Sequence, residues 1–378
     1  MRTSHLTRLI RHSLSLALLV CILFPNVAVA QEESGKKPKS TPSKSVRIYR
    51  TPEERREAGY GTQLTSFLRF GGVVDLGREW QTNHFKGGIE STENNDPELS
   101  IELGFQLTSI DWLEAEILFA IEENGRRHFQ EVDEGYVGVD FDGLGAKVGW
   151  LYLPFGEFYS HFVSGPLVEI GQTRGAAIIA DYEIWDGFDI EGYIFDSQVN
   201  KQGSDKNHQI DWGLAAEFVS EDESVRIGGG YISDLGEGDG EFFLDFNDRF
   251  QQRVPGWNVH GLIGVPPFEF TGEIVHATES IKENDQNADK PLTYNLELAY
   301  YPPKFPFLQL AIRYEHSAEL EDEPETIYGI GTTLRFLDNL TIAAEYLKGN
   351  FKKGFSFDDD DNEQTSYDLV AIEVTLEF

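Results

Sequence analysis

Leu369-Val370-Ala371-Ile372-Glu373-Val374-Thr375-Leu376-Glu377-Phe378 ends the chain. Val370, Ile372, Val374 and Leu376 fall on one side of an extended segment. Leu369, Ala371, Glu373, Thr375 and Glu377 fall on the other. Period two is the side-chain repeat of a β-strand, and one wholly apolar face beside a mixed one suits a sheet wetted by two different solvents. A strand of this kind that finishes on an aromatic is expected to close a transmembrane β-barrel against its first strand, apolar residues to lipid and polar ones to the lumen. Many soluble strands also end in Phe, so the remainder of the chain has to decide.

The same alternation recurs upstream. Strands are expected near 65–75, 98–108, 111–122, 129–140, 144–152, 173–183, 188–196, 208–219, 224–232, 256–264, 268–276, 292–300, 306–315, 326–336, 340–348 and 367–378, sixteen in all. Most have the 9–11 residues that a tilted strand needs to cross a bilayer. The connections alternate in length. Short turns such as Asp142-Gly143, Trp185-Asp186-Gly187, Pro266-Pro267 and Leu337-Asp338-Asn339 separate hairpins, and mostly longer polar loops lie between them at 76–97, 123–128, 153–172, 197–207, 233–255, 277–291, 316–325 and 349–366. Short turns on one side and long loops on the other are what a barrel with periplasmic turns and external loops requires. A β-sandwich has no reason to sort its loops by side. The fold class expected is all-β: an antiparallel transmembrane barrel of about sixteen strands, spanning 61–378.

The faces within each strand follow suit. Tyr294, Leu296, Leu298 and Tyr300 share a side against Asn295, Glu297 and Ala299; Leu308, Leu310, Ile312 and Tyr314 oppose Gln309, Ala311, Arg313 and Glu315. Aromatics gather near strand ends, as at Trp112, Trp150, Trp212, Tyr300 and Tyr346, where interfacial girdles belong.

The other end of the chain reads as a secretory signal over 1–30. Arg2, Arg8 and Arg11 precede an apolar stretch from Leu14 to Phe24, and Ala28-Val29-Ala30 offers a small-residue cleavage site. The stretch is too short for a membrane helix. Cleavage there removes Cys21, the one cysteine, so neither disulfides nor thiolate metal sites are expected. It also removes three arginines and takes the formal charge from −34 to −37, which argues against nucleic acid or an anionic lipid surface as partner. Residues 31–60 form a leader, low in apolar residues through 46 and highly charged over 52–58, expected to be disordered with a short helical piece.

A sixteen-strand barrel is too wide for its own side chains to fill. The lumen-facing set is mainly acidic, with Glu102, Glu114, Glu116, Glu191, Asp211, Glu217, Glu269, Glu273, Glu297, Glu315, Glu345 and Glu373 interrupted by Arg69, Lys147, Arg226, Arg313 and Arg335. An acidic lumen favours cations. Arg313, Arg335, Arg226 and Lys147 leave open a basic wall that would pass anions instead. Read as lumen residues, Glu297 and Arg313 are expected to tolerate replacement.

Loop 153–172 differs from its fellows in being apolar and aromatic, and such a loop belongs inside the barrel, narrowing it. Glu157, Phe158, Tyr159, His161 and Glu169 are the candidate constriction residues, with Arg174 at its exit and Glu114, Glu116, Lys147, Arg226, Arg313 and Arg335 along the path. A purely anchoring role for the loop's polar groups remains the alternative. Lone His161 makes no metal site, and no cofactor is expected.

The run from Trp150 to Ala177, chiefly Leu153-Pro154-Phe155-Gly156, Gly165-Pro166-Leu167 and Gly171-Gln172-Thr173-Arg174, resembles the LbtU family of siderophore porins, as does Arg47 to Gly59. The resemblance spans about 47–378 and implies an outer-membrane barrel linked to uptake of iron chelates. Gly165 stands where the family pattern has an acidic residue.

Three classes of function follow. The expected one is an outer-membrane channel for small solutes or siderophores in a Gram-negative bacterium, in contact with lipid and lipopolysaccharide, as homotrimer or monomer. A surface-interaction barrel is the second. An outer-membrane enzyme is not expected: His208, His260, His276 and His316 lie at strand ends without a matching nucleophile, and no Gly-x-Ser-x-Gly turn occurs. The run Asp358 to Asp361 in the last external loop is read as solvated rather than as a Ca²⁺ site.

Overall fold

The computed structural model describes residues 62–378 apart from 96, 111, 124–127, 142, 198–199, 202–209, 239–248, 251–252, 281–289, 321–322, 338, 355 and 358–361. The signal segment, the leader, Arg47 to Gly59, His208 and the Asp358–Asp361 run lie outside the described residues.

Sixteen strands form the wall: β1 (Leu68–Phe85), β2 (Glu98–Ile110), β3 (Leu113–Glu123), β4 (His128–Phe141), β5 (Leu144–Tyr152), β6 (Arg174–Trp185), β7 (Phe188–Asp196), β8 (Ile210–Val219), β9 (Val225–Ile232), β10 (Gly256–Val265), β11 (Phe268–Ala277), β12 (Leu292–Tyr300), β13 (Leu308–Ala318), β14 (Thr326–Leu337), β15 (Leu340–Asn350) and β16 (Gln364–Glu377). Each pairs antiparallel with its neighbour in sequence. β1 pairs with both β2 and β16, from Val73 opposite Glu377 to Phe85 opposite Gln364, and the sheet closes. Phe378 seals the seam: its N–H donates to the Gly72 carbonyl at 3.0 Å, and its own carbonyl accepts from Gly72 N–H at 2.9 Å. Its ring lies 5.9 Å from that of Phe70. The terminal alternation read from the sequence is thus a closing strand, and closure removes the unpaired edges that an open sheet would expose.

The first strand extends further than its pattern suggested. It runs to Phe85, and most of the interval 76–97 is strand and hairpin, because Ile89–Asn94 folds back along its upper half. Arg78, Thr82 and His84 break the apolar pattern on the outer face. Hydrogen bonding to β16 and to the returning segment holds the backbone extended there regardless. Thr62–Thr65 makes a further short pairing with the start of β1.

Outward positions such as Leu298, Ile312, Ile330, Val370 and Ile372 are exposed. Ring pairs mark both ends of the apolar band: Tyr294, Tyr314 and Tyr328 lie tilted against one another in series, and Trp185 stacks on Phe188 at a turn, as Trp112 does on Phe141. Among the described residues no helix is long and apolar enough to cross a membrane; a barrel crosses with its strands.

The inner face holds the informative anomaly. A hollow sixteen-strand barrel should wet its lumenal side chains. Yet Thr293, Asn295, Glu297, Gln309, Arg313, Glu315 and Thr333 on β12–β14 are buried. Chain 153–173, which joins β5 to β6, lies on them.

Candidate functional site

The loop carries its own apolar ballast. Leu153, Phe155, Val168 and Ile170 cluster with Tyr193, Phe195, Ile232, Leu235 and Val275; Phe162 and Leu167 cluster with Ala299, Ala311, Ile327, Leu347 and Ala371. Every one of these side chains is buried, so the segment folds inward for the ordinary reason that its apolar surface leaves water.

Its backbone is the harder problem, because an irregular segment brings N–H groups into a space where they need acceptors. Wall carboxylates supply them. Glu273 accepts from Glu157 N–H at 3.2 Å and from Phe158 N–H at 2.7 Å. Glu297 accepts from His161 N–H at 2.7 Å and from Ser160 Oγ at 2.9 Å. Glu345 accepts from Val163 N–H at 2.6 Å and Ser164 N–H at 3.1 Å, and Glu315 from Leu167 N–H at 2.6 Å. Four carboxylates on β11, β12, β13 and β15 thus each hold a stretch of loop. The capture at Glu273 also holds Phe158 at φ +50°, a left-handed conformation costly for a residue with a side chain.

Arg313 on β13 supplies the principal counter-charge. Its Nε donates to Glu297 Oε1 at 2.9 Å, Nη1 lies 3.1 Å from Glu315 Oε1, and Nη2 donates to the Ser164 carbonyl at 2.9 Å. Its guanidinium carbon stands 4.3 Å from the centre of the Phe162 ring. Glu297 and Arg313, expected to be replaceable lumen residues, are fully enclosed between wall and loop. A buried pair that loses one member leaves the other uncompensated, so that expectation is corrected.

Glycine makes the close approach feasible. A β-carbon on Gly230 would stand 2.5 Å from the Phe155 carbonyl oxygen, and one on Gly329 2.8 Å from the Phe162 ring. At Gly165 it would meet a Glu169 oxygen at 1.9 Å, so the Glu169 carboxylate occupies the space that an acidic residue at 165 would need.

The predicted site residues are distributed as follows. Tyr159 donates its hydroxyl to Glu269 at 3.3 Å. The His161 ring is wholly buried, with Nδ1 2.8 Å from Glu297 and Nε2 3.0 Å from Glu269. Burial opposes a charge on His161, but the bonds to the two glutamates outweigh it and raise its pKa. Glu169 is pushed up to about 7 by burial, against the pull of Arg313. Glu157 is ion-paired with Arg226, and Arg174 with Asp133 at the foot of the loop. Lys147 lies 5.0 Å from the Tyr136 ring centre, and the Tyr136 hydroxyl donates to Glu114 and Glu116. Arg335 sits near the short-turn end of β14, opposite Thr341. Lys147, Arg226, Arg313 and Arg335 therefore stand on β5, β9, β13 and β14 and do not form one wall.

Sequence reasoning named the wall glutamates as lining but missed that they hold the loop. A signal existed: the inward positions on β9 and β12–β16 include Gly228, Gly230, Thr293, Ala299, Ala311, Gly329, Gly331, Ala343 and Ala371. Small residues facing a lumen on neighbouring strands leave room for something. Among the described residues, two groupings approach metal-site spacing, Glu157–Glu217–His260 and Asp211–Asp234–Glu237. Arginine already supplies the cation in each, Arg226 against Glu157 and Glu217, and Arg253 2.7 Å from Asp211.

No family model and no curated relative matches the chain. Solved structures do. An anion-selective porin from Comamonas acidovorans superposes with TM-score 0.60 at 9% identity, covering 82% of this chain and 99% of that one. OmpF from Salmonella typhi, solved with daunomycin, gives 0.56 at 14%, covering 82% and 97%. A trimer form of OmpT, an outer membrane protein of Vibrio cholerae, gives 0.52 at 14%, covering 82% and 99%. At such identities the likeness is one of fold: a closed sixteen-strand antiparallel barrel of the porin type.

Proposed function

We propose that this chain is an outer-membrane porin, a water-filled channel for small solutes whose bore is set by loop 153–173. The observation that carries the reading is the loop itself. An apolar segment is drawn into a barrel too wide to be filled by its own side chains, and is fastened there by four wall carboxylates. A barrel serving only as a surface anchor has no need of an inserted, tightly held constriction. The apolar exterior and aromatic ends suit a bilayer, and the porin-type fold supports the outer membrane of a Gram-negative bacterium as its location.

Single-channel recording in planar bilayers tests this directly. Discrete, ohmic conductance steps are expected from the purified protein, and their absence returns the reading to a surface barrel. Iron chelates, the cargo implied by the resemblance to siderophore porins, are the finer proposal. Uptake of a radiolabelled ferric chelate by liposomes bearing the protein, beyond that of a neutral sugar of equal size, is the outcome it requires. Whether three copies associate, as the Vibrio cholerae relative's trimer form invites, is read by the mass of the detergent-extracted protein.

A further inference from the structure

The His161 ring is clasped between two glutamates on different wall strands, Glu297 of β12 at Nδ1 and Glu269 of β11 at Nε2, with no exposed side-chain surface. An ionised carboxylate only accepts hydrogen bonds, so both ring nitrogens must donate. A neutral imidazole has one N–H and can donate once. The geometry therefore demands an imidazolium wherever both glutamates are ionised.

The surroundings make that charge consequential. Facing His161 or its two partners are Tyr159, which also donates to Glu269; Asn295 on β12, which donates to Glu297 at 3.0 Å; and Arg313 on β13, which pairs with Glu297 and Glu315. Gln309 on β13 reaches the His161 carbonyl at 3.4 Å. Beyond them lie Glu345 on β15, Glu273 on β11 with Asn258 and His260 behind it, and the loop's own Glu169. Acids outnumber bases in this layer, with Arg313 and His161 set against Glu269, Glu297, Glu315 and Glu345.

We propose that His161 is a proton-operated clasp on the inserted loop: doubly protonated, it ties 159–163 to β11 and β12, and loss of one proton frees the segment from one of them. Deprotonation removes one charge-assisted hydrogen bond and leaves the enclosed carboxylates one positive charge short. The upward shift of the His161 pKa fits, since the folded state binds the proton more tightly than the unfolded one. A histidine raised in the folded state contributes anchoring that is complete at low pH and is lost as pH rises through its folded pKa. Loosening belongs on the alkaline side. That it changes ion flow rests on the channel reading; that it changes the loop does not.

The test is hydrogen exchange by mass spectrometry on the detergent-folded full chain from pH 6 to 10.5, corrected for intrinsic exchange, with single-channel conductance measured alongside. Peptides covering 157–168 are expected to lose at least tenfold of their protection across one alkaline transition, while peptides from β11 and β12 keep theirs. His161→Gln, a neutral donor at every pH, should show the low protection throughout and no transition. Glu269→Gln, which leaves one ionised acceptor, should move the transition to lower pH, and it serves even if His161→Gln folds poorly. Uniform protection of 157–168 over the whole range, or an unmoved midpoint in Glu269→Gln, overturns the clasp. A pH-dependent loop in a barrel that does not conduct leaves the clasp standing and overturns the channel instead.

Discussion

At the scale of single residues, Glu297 is the hub of the inserted loop. It receives the His161 amide and ring, Ser160 Oγ, Asn295 and Arg313 Nε, five donors on one fully buried carboxylate. Hydrogen bonds to a charged group are worth about 1.5–3 kcal/mol each against solvent, and removing one member of a buried pair costs roughly 3–5 kcal/mol. Glu297→Ala is therefore expected to lower the unfolding midpoint in urea and, if the barrel still forms, to raise conductance as the loop lifts from the wall. Glu169 behaves oppositely. Its pKa lies at about 7 in the folded protein, above that of an exposed glutamate, so the cost of keeping it ionised appears as pH rises past the unfolded value near 4.5 and is complete above 7. Glu169→Gln should thus gain stability relative to wild type between those pH values and hold the gain above 7. A constant difference from pH 4 to 9 would show Glu169 ionising normally.

At the scale of elements, the strands obey two different rules on their two faces. Outward positions need only be apolar, so Leu298→Arg and Ile312→Arg, each on an exposed outer site, should cost about 2–4 kcal/mol near the midplane in folding titrations. Inward positions divide by whether they are covered, and the division does not follow strand boundaries, since Glu116 on β3 is buried. Glu98 and Glu114 on β2 and β3 are exposed or half-buried, and Glu98→Gln should fold as wild type. Arg313→Leu, one residue from Ile312, should be severely destabilising because it strands Glu297 and Glu315 beneath the loop. If Arg313→Leu and Glu98→Gln unfold alike, the loop does not cover β13. The two faces were legible from period two alone. The division of the inner face was not, because which lumenal carboxylates meet the loop depends on where a chain segment between β5 and β6 comes to rest. The inward glycines and alanines of β9 and β12–β16 record that resting place only in retrospect.

For the whole molecule, the lumenal field follows from which acids the loop leaves uncovered. Glu269, Glu273, Glu297, Glu315 and Glu345 are buried, whereas Asp75, Glu79, Glu98, Glu102 and Glu114 on β1–β3 retain exposure. An excess of carboxylates at a wet wall concentrates cations, most at low salt where the Debye length is long. The reversal potential under a salt gradient should therefore have the cation-selective sign. Neutralising Glu79, Glu102 and Glu114 together should move it towards zero by more than neutralising Glu157 and Glu169, the first of which is paired with Arg226 and the second buried. An anion-selective sign in the unmodified protein would refute this and reopen a role for the arginines.

Barrel closure, strand number and the outward face were set by sequence alone, because a membrane-spanning strand must satisfy its backbone within the sheet and sort its side chains by solvent every second residue. Val370, Ile372, Val374 and Leu376 carried that information without any partner being known. The inward turn of 153–173 was legible too, from Phe155, Phe158, Phe162, Val168 and Ile170 in a position where water would otherwise meet them. The partners of that loop were decided only in three dimensions. Glu273, Glu297, Glu315 and Glu345 look, in sequence, no different from Glu98 or Glu102, since all alternate inward on their strands. What separates them is closure of the barrel, which carries β11–β15 around beneath an apolar segment more than a hundred residues earlier in the chain, so that a lumenal charge becomes a buried acceptor.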